Sequence, residues 1–145
     1  MKKILHVLTD RNVGGAGRWL LYYLQHWDRS RYAVSVLLPP ESLLLPLVEQ
    51  TGAEVLTLPG MAESSWDRAS LGTMTKLMKA VRPDLVHTHA SLTARVAARR
   101  AGVPHVVCSK HCMETPAGAA KRLLRRLIDL RYSDKIIAVS QAVAR

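Results

Sequence analysis

The sequence is poor in cysteine, holding only Cys108 and Cys112, which flank a basic pair in Cys-Ser-Lys-His-Cys and do not form a secretory disulfide framework. They are expected as reduced thiols. Long apolar runs are lacking too: none approaches the roughly 18 to 20 residues needed to cross a bilayer, so a spanning helix is not expected. The opening Met1-Lys2-Lys3 followed by Ile4-Leu5-His6-Val7-Leu8 resembles a signal peptide only briefly. It turns polar at Thr9-Asp10 with no small-residue cleavage site, so a first buried strand and a cytoplasmic protein are the expectation. No repeat, low-complexity linker or change of composition divides residues 1–145, which fit one domain. Acidic residues are scarce, 11 against 21 lysines and arginines, and the net charge of +10 favours an anionic partner: a nucleotide, a phospholipid surface or nucleic acid.

What is present is an alternation. Ile4 to Leu8, Val34 to Leu38, Glu54 to Leu58, Leu85 to Thr88, His105 to Cys108 and Lys135 to Val139 are short apolar runs of strand character. Between them, Arg18 to Trp27, Ser42 to Gln50, Arg68 to Val81, Leu92 to Ala101 and Ala119 to Tyr132 read as helices. Near-continuous apolar strands alternating with helices predict an α/β fold, a doubly wound, Rossmann-like parallel sheet covered on both faces. Ser140 to Arg145 reads as a helix just begun, with Ser140 as its N-cap, so the domain is expected to continue beyond the chain.

Ligands of such sheets bind outside the carboxyl ends of the strands, where strand order reverses. If the first and fourth strands are neighbours, three loops share that rim. The first, from Thr9 through Asp10 to Arg18, carries Gly14, Gly15 and Gly17 at the start of a helix, where backbone can approach an anion closely and free amides await it. The plain alternative is a tight strand-to-helix turn. The second loop follows His89, which shares a strand face with His87. His87 is expected buried and satisfied, and His89 at the strand end is a candidate for a substrate hydroxyl or phosphate. The third offers Lys110 and His111, with Glu114 nearby. A zinc site from His87, His89, Cys108, His111 and Cys112 has no familiar ligand spacing, and no metal is expected.

In the last helix, Leu123, Leu124, Leu127, Ile128 and Leu130 fall on one arc and Lys121, Arg122, Arg125 and Arg126 on the opposite one. The plain reading is a core helix with a solvated charged face. The other is docking on anionic lipid headgroups, with Arg95, Arg99 and Arg100 extending the basic surface. Tyr22, Trp19 and Trp27 recur at helical spacing and read as packing. Without aromatic and basic residues interleaved, nucleic acid is not an expected partner.

Four segments together carry a resemblance: Asn12-Val13-Gly14-Gly15-Ala16-Gly17-Arg18, Pro83-Asp84-Leu85-Val86-His87-Thr88-His89-Ala90-Ser91, Gly102-Val103-Pro104 followed by Lys110-His111, and Ser133 to Ser140. In order and spacing they resemble the N-terminal domain of glycosyltransferase family 4 over nearly the whole chain. The resemblance implies one half of a GT-B fold, the acceptor side of a metal-independent, retaining enzyme that transfers a sugar from a sugar nucleotide. Its donor-binding C-terminal domain is missing here, so the fragment alone is expected to be inactive. By position, His111 is the implied catalytic residue. His89, Lys110, Asp10 and Arg18 are acceptor- and sugar-binding candidates, and Gly14 and Gly15 would approach the donor diphosphate. The family often has an acidic residue after the glycine pair, where this chain has Gly17 before Arg18. Lys121, Arg122, Arg125 and Arg126 extend the expectation to a membrane-associated or lipid-linked acceptor and peripheral attachment.

Two other readings stand beside it. One is a noncatalytic binding module that recruits a separate catalytic chain. The other is a different nucleotide or dinucleotide binder, which the sequence serves poorly: Leu37-Leu38-Pro39-Pro40 stands where a carboxylate for the ribose belongs, with Glu41 just beyond.

Overall fold

The computed structural model describes residues 1–111 and 118–140; Cys112, Glu114 and the helix expected from Gln141 to Arg145 lie outside them. Along the chain run β1 (Lys2–Val7), α1 (Gly15–His26), β2 (Tyr32–Leu38), α2 (Leu45–Gln50), β3 (Glu54–Thr57), α3 (Arg68–Val81), β4 (Leu85–His89), α4 (Leu92–Ala101), β5 (His105–Lys110), α5 (Ala119–Tyr132) and β6 (Lys135–Ala138). The six strands form one parallel sheet in the order β3-β2-β1-β4-β5-β6. Strand order therefore reverses between β1 and β4, and the expected rim lies beyond their carboxyl ends.

Strand alternation divides the core in two. Leu5 and Val7 of β1 join Val86, Val106 and the buried Leu71, Met74, Met78, Ala94, Ala97 and Ala98 of α3 and α4. Ile4 and Leu8 face the other way, packing with Val34, Val36 and Leu38 against Leu20 and Leu24 of α1, Leu44 just before α2 and Val48 within it. His6 shares this second face, in contact with Trp19 and Tyr23 of α1. The apolar runs of β1, β2, β4 and β5 are covered on both faces, whereas that of β6 is largely exposed.

Local chemistry sets the boundaries. Asp67 caps α3 by accepting from the Ala69 amide at 3.0 Å, and Ser91 caps α4 through the Ala94 amide at 3.1 Å. Gly102 closes α4 with φ 77°, the left-handed turn glycine takes without strain. The segment 42–50, read as one helix, starts it only at Leu45: the Ser42 hydroxyl accepts from the Leu44 amide and holds a turn before Pro46.

The largest departure is α5. It buries no residue, and Leu123, Leu124, Leu127 and Leu130 are each more than half exposed. The plain expectation of a core helix is thereby overturned. Asp129 supplies its strongest inward contacts, accepting from Arg95 and from Lys110 at 2.7 Å each. Tyr22, read as packing, is exposed as well, its ring against His26.

Candidate functional site

The rim is built from the end of β1, the N-terminus of α1, and the ends of β4 and β5. Arg11 anchors the first loop: its amide donates to Glu63 Oε1 at 3.0 Å, its guanidinium donates to the Met61 carbonyl at 3.1 Å, and Glu41 and Glu63 lie within ion-pair reach. The helix then begins on glycine. Gly14 is the N-cap of α1 with no side-chain cap, and no acidic residue occupies the first turn. The first-turn amides thus have no partner within the helix, and neither its N-cap nor its first turn supplies a carboxylate to the positive end of its dipole.

The three glycines differ. A β-carbon at Gly17 would meet Leu44 at 2.9 Å, so packing inside the chain excludes a side chain there. At Gly14 and Gly15 such an atom meets nothing within 4 Å, and neither has a positive φ. The fold itself does not require glycine at those two positions. Arg18 is exposed just behind them.

Register assembles the histidines. β1 pairs with β4 so that His6 lies beside His87, and β4 pairs with β5 so that His89 lies beside Ser109. His6, His87 and His89 are all buried on the α1 face, with Trp19 ring centroids 5.4 and 5.3 Å from His87 and His89. His87 is satisfied as expected, its Nε2 2.8 Å from the Ser109 hydroxyl. His89 is enclosed between two imidazoles, Nε2 at 3.4 Å from His6 Nδ1 and Nδ1 at 3.0 Å from His111 Nε2. Both its ring nitrogens are engaged within the protein, so in this arrangement neither is free for the substrate hydroxyl or phosphate expected from its place at the strand end. Ala90 follows with a positive φ of 69°, its amide donating to the Ser109 carbonyl at 3.1 Å. A left-handed alanine is strained backbone at the point where β4 leaves the sheet.

Burial holds the column neutral. His6 titrates well below the ordinary histidine range because it is desolvated, with His87 a further cause. His87 is lowered to about 4 by desolvation and then by His111. His89 is lowered by desolvation and by its three histidine neighbours. His111 is lowered by desolvation, partly offset by Asp10. Asp10 is raised by desolvation and Glu63, with His111 opposing. A neutral imidazole and a carboxyl group within electrostatic reach of each other suit hydroxyl recognition.

One nitrogen from each of His6, His87 and His89 lies within 4.8 Å of the others, close enough to consider a cation. His87 Nε2 is already on Ser109, however, and His89 Nε2 is turned on His6 Nδ1 at 3.4 Å, so these nitrogens are engaged within the protein. This is a column of rings, unlike a tetrahedral ligand set.

Lys110 is turned away from this group. Ser109 faces His87, and Lys110, one residue on, projects to the opposite face, where its ammonium meets Asp129. The structure thus corrects the pairing of Lys110 with His111 as neighbouring rim groups. His111, His89 and Asp10 do come together, while Lys121, Arg122, Arg125 and Arg126 lie on α5. His6 was not singled out in the sequence. Its only signal is its parity in β1, which requires knowing that β4 is its neighbour.

A family model described as Glycosyltransferase Family 4 matches residues 13–145. A search of curated proteins finds no match. Among solved structures, the chain is similar to Anabaena HepE in complex with UDP and glucose, at 20% identity and a TM-score of 0.73, covering 99% of this chain and 39% of that one. It is also similar to Acinetobacter baumannii MurG, at 15% identity and a TM-score of 0.66 over 95% and 41% of the two chains. A putative UDP-N-acetylglucosamine 2-epimerase from Listeria monocytogenes matches at 15% identity and a TM-score of 0.69 over 99% and 40%. At such identities these likenesses concern the fold. The chain spans about two-fifths of the length of each, one half of a GT-B fold. With the family model matched over most of its length, the chain belongs to glycosyltransferase family 4.

Proposed function

We propose that this chain is the N-terminal, acceptor-side half of a retaining, metal-independent glycosyltransferase that uses a sugar nucleotide, and that its site is completed by a donor-binding half outside residues 1–145. The observation that carries the reading is the pair Gly14 and Gly15 at an uncapped helix start, glycines for which the chain itself has no use. Side-chain-free backbone and unpaired amides suit close approach by a diphosphate. UDP in the HepE structure is consistent with that chemistry.

In this reading, His111 and Asp10 bind hydroxyls of the sugar or acceptor, His111 acting closest to the reacting sugar, and Arg18 adds a cation beside the glycine loop. His89 supports His111 from behind. A departing nucleoside diphosphate needs preorganised positive potential, and the helix start supplies part of it. The rest belongs to the other half, so the chain alone is expected to be inactive.

The acceptor is proposed to be membrane-associated or lipid-linked, with the protein peripheral on the cytoplasmic face. No helix among the described residues is long and apolar enough to cross a membrane. What supports peripheral attachment is α5, where Lys121, Arg122, Arg125 and Arg126 accompany four exposed leucines. Co-sedimentation with vesicles containing phosphatidylserine at low salt tests it: binding lost on replacing the four cations by glutamine supports attachment, and no binding at all removes that clause.

The enzymatic reading is tested by measuring donor hydrolysis and transfer, across a panel of sugar nucleotides, by protein carrying both halves. Turnover abolished by His111→Ala in a folded protein supports it. A folded two-domain protein that turns over no sugar nucleotide in the panel overturns it.

A further inference from the structure

The buried histidines imply more than a packed layer. A neutral imidazole carries one N–H and one lone pair. His89 contacts an imidazole nitrogen at each of its own nitrogens, so it donates at one and accepts at the other. The set His6, His89, His111 is therefore polar along its length and has only two registers. In one, the N–H groups all sit on Nδ1 and point outward from His6 through His89 to His111. In the other, they all sit on Nε2 and point inward.

The inner end chooses between them. At the inner end, His6 Nε2 is buried and has no hydrogen-bond partner. The inward register would leave a buried N–H there without an acceptor, whereas the outward register leaves only a bare lone pair, the vacancy folded proteins tolerate more readily. At the outer end, Asp10 lies within electrostatic reach of His111. His87 stays outside the series because its Nε2 is engaged by Ser109. Trp19 and Tyr23, stacked on each other at 5.6 Å, cover the inner rings from α1.

We infer that His6 and His89 act as positioning residues that fix the tautomer of His111 from inside the core, so that His111 presents Nδ1–H, a hydrogen-bond donor, to an oxygen acceptor at the rim. His111 is then a donor to a sugar hydroxyl or phosphate oxygen and does not act as a base through that nitrogen. Only the identity of the acceptor rests on the glycosyltransferase reading; the hydrogen-bond register does not.

The test is a long-range proton–nitrogen correlation spectrum of the full chain with nitrogen-labelled histidine, near pH 7.5. Protonated and bare ring nitrogens separate clearly by nitrogen shift, and free imidazole prefers Nε2–H, so the expected pattern is not the default one. His6, His89 and His111 should each show a protonated Nδ1 and a bare Nε2. A protonated Nε2 on His111, or averaging of its two nitrogens, overturns the inference. His6→Leu removes the inner donor and should convert the single Nδ1–H state of His111 into a mixture, while His6→Gln, which still donates, should preserve it. An unaltered His111 in a folded His6→Leu chain shows that the tautomer is not set from the core. If His6→Leu does not fold, the wild-type and His6→Gln spectra still decide the register. No substrate enters these measurements, so their failure and the failure of the enzymatic reading are separate results.

Discussion

Helices α1 and α5 both carry an apolar stripe and a polar face, and they are held in opposite ways. The first buries Ala16, Gly17, Leu20 and Leu24 against the sheet. The second turns its leucines outward and is tied down by charge, with Asp129 between the buried Arg95 and Lys110, and Arg95 reaching Ser133 Oγ at 3.2 Å. Amphipathic spacing says that a helix needs a covered face; it does not say what covers it. Beside α5, Ile136, Ile137 and Val139 of the last strand region are exposed too, so this edge of the sheet is unfinished on more than one side within the described residues.

Breaking the charged anchor should have the largest effect. Asp129→Ala leaves Arg95 buried without its carboxylate, and a lost partner of a buried pair costs about 3 to 5 kcal/mol. Urea denaturation measures it, and a loss under about 1 kcal/mol would mean that α5 is held by something else. Leu20→Ala should cost about 3 kcal/mol through transfer and cavity terms, against less than about 0.5 for the half-exposed Leu127→Ala. Equal midpoints for these two variants would erase the contrast between the helices.

Acid sharpens the comparison from the α1 side. The histidines under α1 titrate lower in the folded chain than in the unfolded one, so their contribution is complete above about pH 6.5 and is lost as pH falls. For His87, lowered to about 4, the loss accrues between about pH 6.5 and 4 and is on the order of 3 kcal/mol. Denaturation midpoints across that range should fall in the wild type and less steeply in His87→Gln; a flat wild-type profile would contradict the neutral column. Gly15→Ala should change stability by no more than about 1 kcal/mol because nothing lies near the added methyl group. It should nevertheless raise KM for the sugar nucleotide in a two-domain enzyme, and an unchanged KM would remove the glycine pair from the donor site.

The fold was legible because the central strands are buried on both faces, which writes itself as apolar runs, and because the first glycines and Asp67, Ser91 and Gly102 mark helix ends by chemistry local to the chain. The rim was legible from strand ends alone. The histidine column was not: it depends on His6 lying beside His87 across 81 residues, a register no local pattern records. Lys110 was misplaced for the same reason. One residue of parity decides whether it joins His111 or Asp129, and the strand runs on through Lys110, two residues past the apolar run that ends at Cys108.

The position of β1 in the middle of the sheet has a consequence in time. Its neighbour β2 follows within the first forty residues, but its other neighbour begins at Leu85, and its link to His89 closes a loop spanning 83 residues. Such long closures come late in folding because their entropy is spent before any contact is returned. A nascent chain can therefore dock β1, α1, β2 and β3 while the imidazole row still has one member, and the row completes only when β4 and the loop at His111 arrive. Assembly of the rim is thus a late event, gated by the same pairing that closes the sheet.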